Sequence, residues 1–487
     1  MTNENPVPPS LSVYDVPVYP DVATYGNVLG SLRIWEGDGW KRESMSWKTG
    51  AYIASNLSGL PEITFSGPHA QEFLSRVSVN NVYKWPIGTS KHLVSVNEHG
   101  LIANHGLAVR DSEDSFRQFA SIPWLPYLAE SLGIDVQVDY RQIFLYQVAG
   151  PSSLQVLERL IGEELRSVAF LGLKKVRIPG IPANVEIEVS RIGMAGTLAY
   201  ELRGPIEYGP EVFDAVYRAG ADVGIARLGW RTYVVNHTEG GFPQQGCTFL
   251  PSAYGDPGFA THPVFGITAP DASAPAANTP NAGLHGSADP TDMRARMRTP
   301  FEVNWGWVAK FDHDFIGRAA LEAEAAKPLR KTITLRWNKE DVLDVFASQF
   351  EQGEEYKNFE FPTTPPSPAG GHADLVTKDG VSVGISSLAV YSYYYREMIS
   401  HATIDRDQEI GSEVVVHWGD HGGRIKEIRA TVERFPYLDL PSNKDYDLDR
   451  IPSGVASAVI AHPCGEMTAR IPNSPTTECT RVQERER

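Results

Sequence analysis

Two stretches of the chain carry the same succession of apolar and polar positions. Residues 63–77 read ITFSGPHAQEFLSRV and residues 144–160 read FLYQVAGPSSLQVLERL. Each is a strand-like run, a Gly-Pro break with the proline expected just inside a helix start, and then apolar residues at helical spacing. Phe73, Leu74 and Val77 form the stripe in the first; Leu154, Val156, Leu157 and Leu160 form it in the second. With strand-like runs at 91–96 and 185–189 nearby, the pattern predicts a duplicated α+β unit. A further helix is expected from about Pro210 to Gly224, striped by Val212, Phe213, Val216 and Tyr217.

After Arg318 the period changes to two. Residues 331–337, 381–385, 414–417 and 428–432 are short alternating strands, and Asp379-Gly380 is a hairpin signal, so a small antiparallel barrel or sandwich is expected. The resulting division is an extended arm over 1–25, the duplicated region over 26–328, a barrel domain over 329–437 and a disordered tail over 438–487. Residues 251–300 are rich in Ala, Pro, Gly, Asp and Ser and lack periodicity; a lid or crossover beside the functional site is the expectation.

Composition removes several function classes. With 42% hydrophobic and 21% charged residues, the 487-residue chain reads as an ordinary soluble globular protein. A formal net charge of -16 and no basic stripe argue against nucleic acid. No apolar run approaches membrane-spanning length, no secretory pattern is evident, and Cys247, Cys464 and Cys479 show neither a disulfide framework nor ligand spacing, so a cytoplasmic location is expected. The phosphate-loop, dinucleotide, zinc-protease and esterase motifs are missing, and the scattered histidines predict no metal site.

The stretch 301–321, FEVNWGWVAKFDHDFIGRAAL, crowds aromatic rings around Gly306 and places Gly317 before a helix. Its order, Pro300-Phe301-Glu302, Gly306-Trp307, Lys310-Phe311, Asp314-Phe315-Ile316-Gly317 and Leu321, resembles the signature of the aminomethyltransferase family, which includes the T-protein of the glycine cleavage system. The run KFDHDFIGR (310–318) is similar to the branch of tetrahydrofolate-dependent aryl O-demethylases that act on vanillate, 3-O-methylgallate or syringate. The resemblance spans roughly Trp40 to Phe435.

That resemblance implies an α+β cloverleaf of three domains, a C-terminal antiparallel barrel among them, around a central hole that takes tetrahydrofolate. It implies an enzyme that moves a methyl group from a small methoxylated, lignin-derived aromatic to tetrahydrofolate. Glu201 matches the acid that accepts two hydrogen bonds from the pterin edge. Arg231, Phe242, Trp307 and Asn104 fall with the cofactor-binding set, and Tyr233 falls at the demethylases' catalytic tyrosine. Read without the resemblance, the same residues include a strand glutamate, an arginine paired to a buried acid and a core tyrosine.

Three positions depart from the family pattern. His105 stands where a mechanistic aspartate is usual, either orienting a ligand or packing. Gln118 stands where the benzoate demethylases carry an arginine for the substrate carboxylate, with Arg117 beside it as the candidate after a one-residue shift. Asn56 replaces a substrate-side glutamine, keeping amide chemistry with a shorter reach.

Overall fold

The computed structural model describes residues 16–455 except 29–30, 59, 265–284 and 365–371. A hairpin of β1 (Thr24–Val28) and β2 (Ser31–Glu36) leads into helix α1 (Trp40–Thr49) and strand β3 (Tyr52–Ala54). The first repeat unit is β4 (Pro61–Ser66), α2 (Ala70–Val77), β5 (Thr89–Val96), β6 (Ile102–Arg110), β7 (Ser115–Phe119) and α3 (Trp124–Ser131). The second is β8 (Gln137–Ala149), α4 (Ser153–Ile161), β9 (Leu173–Val176), β10 (Ile187–Ser190), β11 (Ala199–Pro205) and α5 (Gly209–Ala219).

The two units share one ten-stranded sheet, ordered β5-β6-β7-β4-β8-β11-β10-β9, with β3 paired to β8 and β12 (Ala226–Arg227) paired to β3. The strands that open the two repeats, β4 and β8, pair antiparallel at its centre. In both repeats the proline sits one turn earlier than the pattern suggested. Ala70 N–H bonds to Gly67 C=O and Ser153 N–H to Gly150 C=O, each at 3.0 Å, so Gly-Pro closes a turn before the helix. Gly150 has φ 120°, and a Cβ there would meet the Gly50 carbonyl oxygen at 2.4 Å, which leaves glycine as the residue that fits.

Strand alternation divides this sheet into two chemical faces. On β3, β8 and β11, residues Ile53, Tyr146, Val148, Tyr200 and Leu202 point into one apolar core with α4 and α5. The opposite face carries Ala54, Gln147, Glu201 and Ser190 in register across four strands. Burying the 25 residues of this core, at roughly 1.5–3 kcal/mol for each large apolar side chain, allows the other face to remain polar.

Helix α6 (Trp230–Gly240) closes this polar face, followed by the short α7 (Pro257–Thr261). Residues 285–300 run back along the barrel domain; the remainder of the expected lid, 265–284, lies outside the described residues. Helix α8 (Arg318–Ala326) begins after Gly317, whose φ is 84°. Strands β13 (Arg330–Trp337), β14 (Asp374–Lys378), β15 (Val381–Ser392), β16 (Glu397–Asp405), β17 (Glu413–Trp418) and β18 (Lys426–Glu433), with helix α9 (Lys339–Ser348), form a closed barrel rather than a sandwich. The Asp379-Gly380 turn joins β14 to β15 with both residues at positive φ.

Both ends pack more than their composition suggests. Tyr19 lies 6.2 Å from the Phe213 ring, and Val16 is buried. At the other end, described residues 438–455 return to the sheet instead of trailing away. Arg166 and Arg191 donate to the carbonyls of Leu448, Ile451 and Asn443, and Asn443 donates to Ala199 C=O at 2.8 Å. Polar residues suit this path because backbone carbonyls, rather than apolar side chains, are what the arginines hold. No described helix is long and apolar enough to cross a membrane.

Candidate active site

The polar face of the sheet is a collection of buried groups without partners. Among the described residues, Glu201 Oε2, Gln147 Oε1 and Asn56 Nδ2 are buried and make no hydrogen bond, and the buried Tyr233 hydroxyl has only a loose interaction with the Gln147 side chain. Each such group costs roughly 1–3 kcal/mol when nothing satisfies it, so their gathering marks a place shaped for a polar ligand. Glu201 faces Gln147 across the β8–β11 pair, with Gln147 Nε2 3.5 Å from Glu201 Oε1. Burial raises the Glu201 carboxyl above its ordinary range, while Arg203 and Gln147 oppose that shift.

Tyr233 sits in the first turns of α6 with its ring fully buried against Trp230 and His237. Burial, and then the neighbouring Tyr52 and Glu201, raise its hydroxyl well above the usual tyrosine value. The phenol therefore stays protonated at neutral pH. The close seat of α6 depends on Gly196: a Cβ there would approach Gly240 Cα to 2.5 Å.

An aromatic wall adjoins this polar set. The ring of His105 on β6 packs at a tilt 4.5 Å from Trp305 and 6.0 Å from Phe242, and its Nε2 lies 3.0 Å from Nδ1 of His92, so one ring nitrogen carries the shared hydrogen. Burial holds His105 well below its ordinary value, with the His92 ring second, and burial lowers His92 to about 4. The pair is neutral at pH 7. Its wall opens on a cavity of about 250 Å³ lined by His92, Phe242, Asn304, Trp305, Trp307 and Phe435.

Tyr233 neighbours Glu201 and leads through the His237 ring to Phe242 and then His105, and Phe242 lines the cavity with Trp307 at its rim, 61% exposed. Trp305, not singled out as a ligand contact from sequence, is the ring against His105. Arg231 is directed elsewhere. Two positions along a helix turn a side chain by about 200° from Tyr233, and Arg231 instead binds Glu36 and the Phe361 carbonyl, tying α6 to the barrel domain. Asn104 pairs opposite Ser95 and alternates away from His105; its amide is buried and unpaired, as is that of Gln118.

Arg117 is occupied. It donates to Asp111 at 2.6 and 2.7 Å, to Glu188 at 3.0 and 3.1 Å and to Glu62 at 3.2 Å. Arg141 joins Glu62, and Arg203 stands beside Glu188 and Glu201. Three guanidiniums thus face four carboxylates, and the network has no positive charge to spare.

Comparison with known proteins accounts for this arrangement. Residues 15–248 match the GCVT N-terminal domain. The chain is 36% identical over 428 residues to sesamin methylene transferase of Sinomonas sp. (strain No.22), covering 85% of this chain and 92% of that protein. The chain belongs to the aminomethyltransferase family. It is also 29% identical to syringate O-demethylase of Sphingobium sp. (strain NBRC 103272 / SYK-6), over 86% of this chain and 90% of the relative. The solved aminomethyltransferase T of the glycine cleavage system from Bartonella henselae shares the fold, with a TM-score of 0.60 at 16% identity over 88% and 96% of the two chains. Membership of the aminomethyltransferase family makes the chain a transferase with tetrahydrofolate as its cofactor.

The unpaired set fits that cofactor. A pterin edge presents adjacent N–H donors, and Glu201 offers a carboxylate with a free oxygen inside a buried polar face. What sequence reading missed is Gln147, Arg203 and His92. Gln147 meets Glu201 only through strand register, 54 residues away in sequence. Arg203 was visible as the next same-face position after Glu201 on a strand.

Proposed function

We propose that the chain transfers a one-carbon unit from the ether oxygen of an uncharged aromatic compound to tetrahydrofolate, releasing a phenol. The observation that carries this reading is the buried, protonated Tyr233 hydroxyl, held only loosely by Gln147 and beside Glu201, with a neutral aromatic wall adjoining. Glu201 and Gln147 hold the pterin edge, and bound tetrahydrofolate supplies the nucleophilic nitrogen. Tyr233 donates a proton to the oxygen as its bond to carbon breaks and phenolate charge develops. His105, held neutral by burial and hydrogen-bonded to His92, is a weak base and lines the site as an uncharged ring that orients the ligand.

The uncharged substrate follows from charge balance. Arg117 is saturated by three acids, and a neutral Gln118 stands at the place of the carboxylate-binding arginine. A methylenedioxy bridge is the first donor, supported by the similarity to sesamin methylene transferase; a methoxyl group is the second, supported by the similarity to syringate O-demethylase. Asn56 and the His92–Trp305 wall are the substrate contacts in this reading.

Incubation with tetrahydrofolate and paired aromatics, methylenedioxy or methoxyl and with or without a ring carboxylate, tests it through the mass of the folate product. Methylene-tetrahydrofolate from the methylenedioxy compounds is expected, with at least about tenfold lower kcat/KM for the carboxylated member, since a tenfold change corresponds to about 1.4 kcal/mol of unpaired charge. Methyl-tetrahydrofolate alone would assign the methoxyl donor. A preference for carboxylates would contradict the charge argument.

The neutral histidines bear on stability as well. Burial holds His92 near 4, His237 near 3 and His401 near 4, below the unfolded value of about 6.5. The unfolded chain therefore binds more protons between these values. Their contribution is complete above about pH 6.5 and is lost as pH falls toward 4, at about 1–2 kcal/mol per ring by pH 5. Urea unfolding at pH 7.5 and 5.0 should show the lower midpoint at 5.0; equal midpoints would contradict burial of the neutral rings.

A further inference from the structure

Arg203 is the most fully enclosed cation of the polar face. Its side chain is 1% exposed and lies over the Phe119 ring at 4.3 Å. One terminal nitrogen donates to Ser190 Oγ at 2.7 Å, whereas Nε and the other terminal nitrogen have no hydrogen-bond partner. Its acids stand beyond hydrogen-bond distance, Glu188 at 3.6 Å and Glu201 at 3.7 Å. Glu188 is already held by two hydrogen bonds from Arg117, at 3.0 and 3.1 Å, so Arg203 is not needed to satisfy it.

Strand geometry gives these free donors a direction. Glu201 and Arg203 are two residues apart on β11 and so project from the same face. That face therefore offers, side by side, a carboxylate acceptor with a free oxygen and a guanidinium with free N–H groups. A pterin edge carries the complementary sequence: an exocyclic amine, a ring N–H, and then a carbonyl oxygen. Glu201 suits the two donors, and the next atom along that edge is an acceptor.

We propose that Arg203 donates to the pterin carbonyl oxygen and so selects the 4-oxo form of the cofactor. This rests on the reading of Glu201 as the pterin-binding acid. Arg203 then completes an acceptor, acceptor, donor array, and a 4-amino pterin would set a donor against a buried guanidinium. Its two roles are separable: the ion pairs at 3.6 and 3.7 Å hold charge, and the free N–H groups read the ligand.

Equilibrium binding by calorimetry, without turnover, tests this on the full chain. Tetrahydrofolate and its 4-amino-4-deoxy analogue are titrated into the wild type, Arg203→Met and Arg203→Lys, with melting followed in parallel. The wild type is expected to prefer the 4-oxo compound. Arg203→Met is expected to bind tetrahydrofolate about 10- to 100-fold more weakly, the loss of one charge-assisted hydrogen bond, and to lose most of the preference. Arg203→Lys keeps the charge beside Glu188 and Glu201 and serves if the methionine variant does not fold; it is expected to fall between the two. A folded variant of either kind with wild-type affinity and preference overturns the proposal while leaving the pterin site intact. Failure of the wild type to bind tetrahydrofolate at all would instead refute the cofactor reading.

Discussion

Tyr233→Phe should lower kcat by about 100- to 10,000-fold, the usual contribution of a positioned general acid, while tetrahydrofolate binding stays within about twofold. The expectation rests on what the substitution removes. The ring remains, with its edge contacts to Trp230 at 5.5 Å and His237 at 4.5 Å. Within the protein the lost hydroxyl meets only the Gln147 side chain, and loosely, so its removal leaves little unsatisfied and the fold should be unharmed. Single-turnover kinetics with a methylenedioxy aromatic, paired with folate titration, separates the two effects. Turnover at the wild-type rate would remove Tyr233 from the mechanism, and equal losses in binding and rate would make it a cofactor contact instead.

Glu239→Ala should cost about 3–5 kcal/mol of stability, the range for breaking a buried ion pair from one side. Glu239 and Lys48 are both almost completely enclosed and in contact. The carboxylate also accepts Trp47 Nε1–H at 3.0 Å and the Ser392 hydroxyl at 2.6 Å, and the backbone carbonyl of the same residue accepts Leu438 N–H at 2.7 Å. One residue at the end of α6 thereby joins α1, the barrel strand β15 and the returning terminal segment. Burial already lowers the Lys48 ammonium to about 8 against the opposing pull of Glu239; without the acid its charge is stranded beside the Trp47 ring. Replacing both partners, Lys48→Met with Glu239→Leu, should recover part of the loss, because no unpaired charge remains while the Trp47 N–H and the Ser392 hydroxyl still lack their acceptor. Urea unfolding of the single and double variants measures this. A loss below about 1 kcal/mol for Glu239→Ala would show that solvent reaches the pair.

The sequence made the repeated units and the barrel legible because both rest on local periodicity. Ile63 and Phe65, Phe144 and Tyr146, and the barrel runs alternate as half-buried strands must. The family resemblance pointed to Glu201, Tyr233, His105 and Phe242, and the fold links them in a row, Glu201 beside Tyr233 and Tyr233 through the His237 ring to Phe242 and His105. Arg231 and Arg117 were harder to assign because an arginine's role depends on which acids surround it, and Glu36, Asp111 and Glu188 lie at unrelated places in the chain. Gln147 opposite Glu201 and His92 beside His105 are set by cross-strand register, which no spacing rule within one segment reports. The returning segment 438–455 was obscured for a similar reason: its anchors are backbone carbonyls, which leave no mark in composition.

The two-faced sheet has a consequence for how such a protein diversifies. On β11, Tyr200 and Leu202 face the apolar core and Glu201 and Arg203 the polar side, one residue apart but on opposite sides of the backbone. A change at a polar-side position leaves its two neighbours packed as before. The chemistry of the polar face and structural integrity are thus written in alternate letters of the same strand, and a lineage can revise one text while the other is copied unchanged.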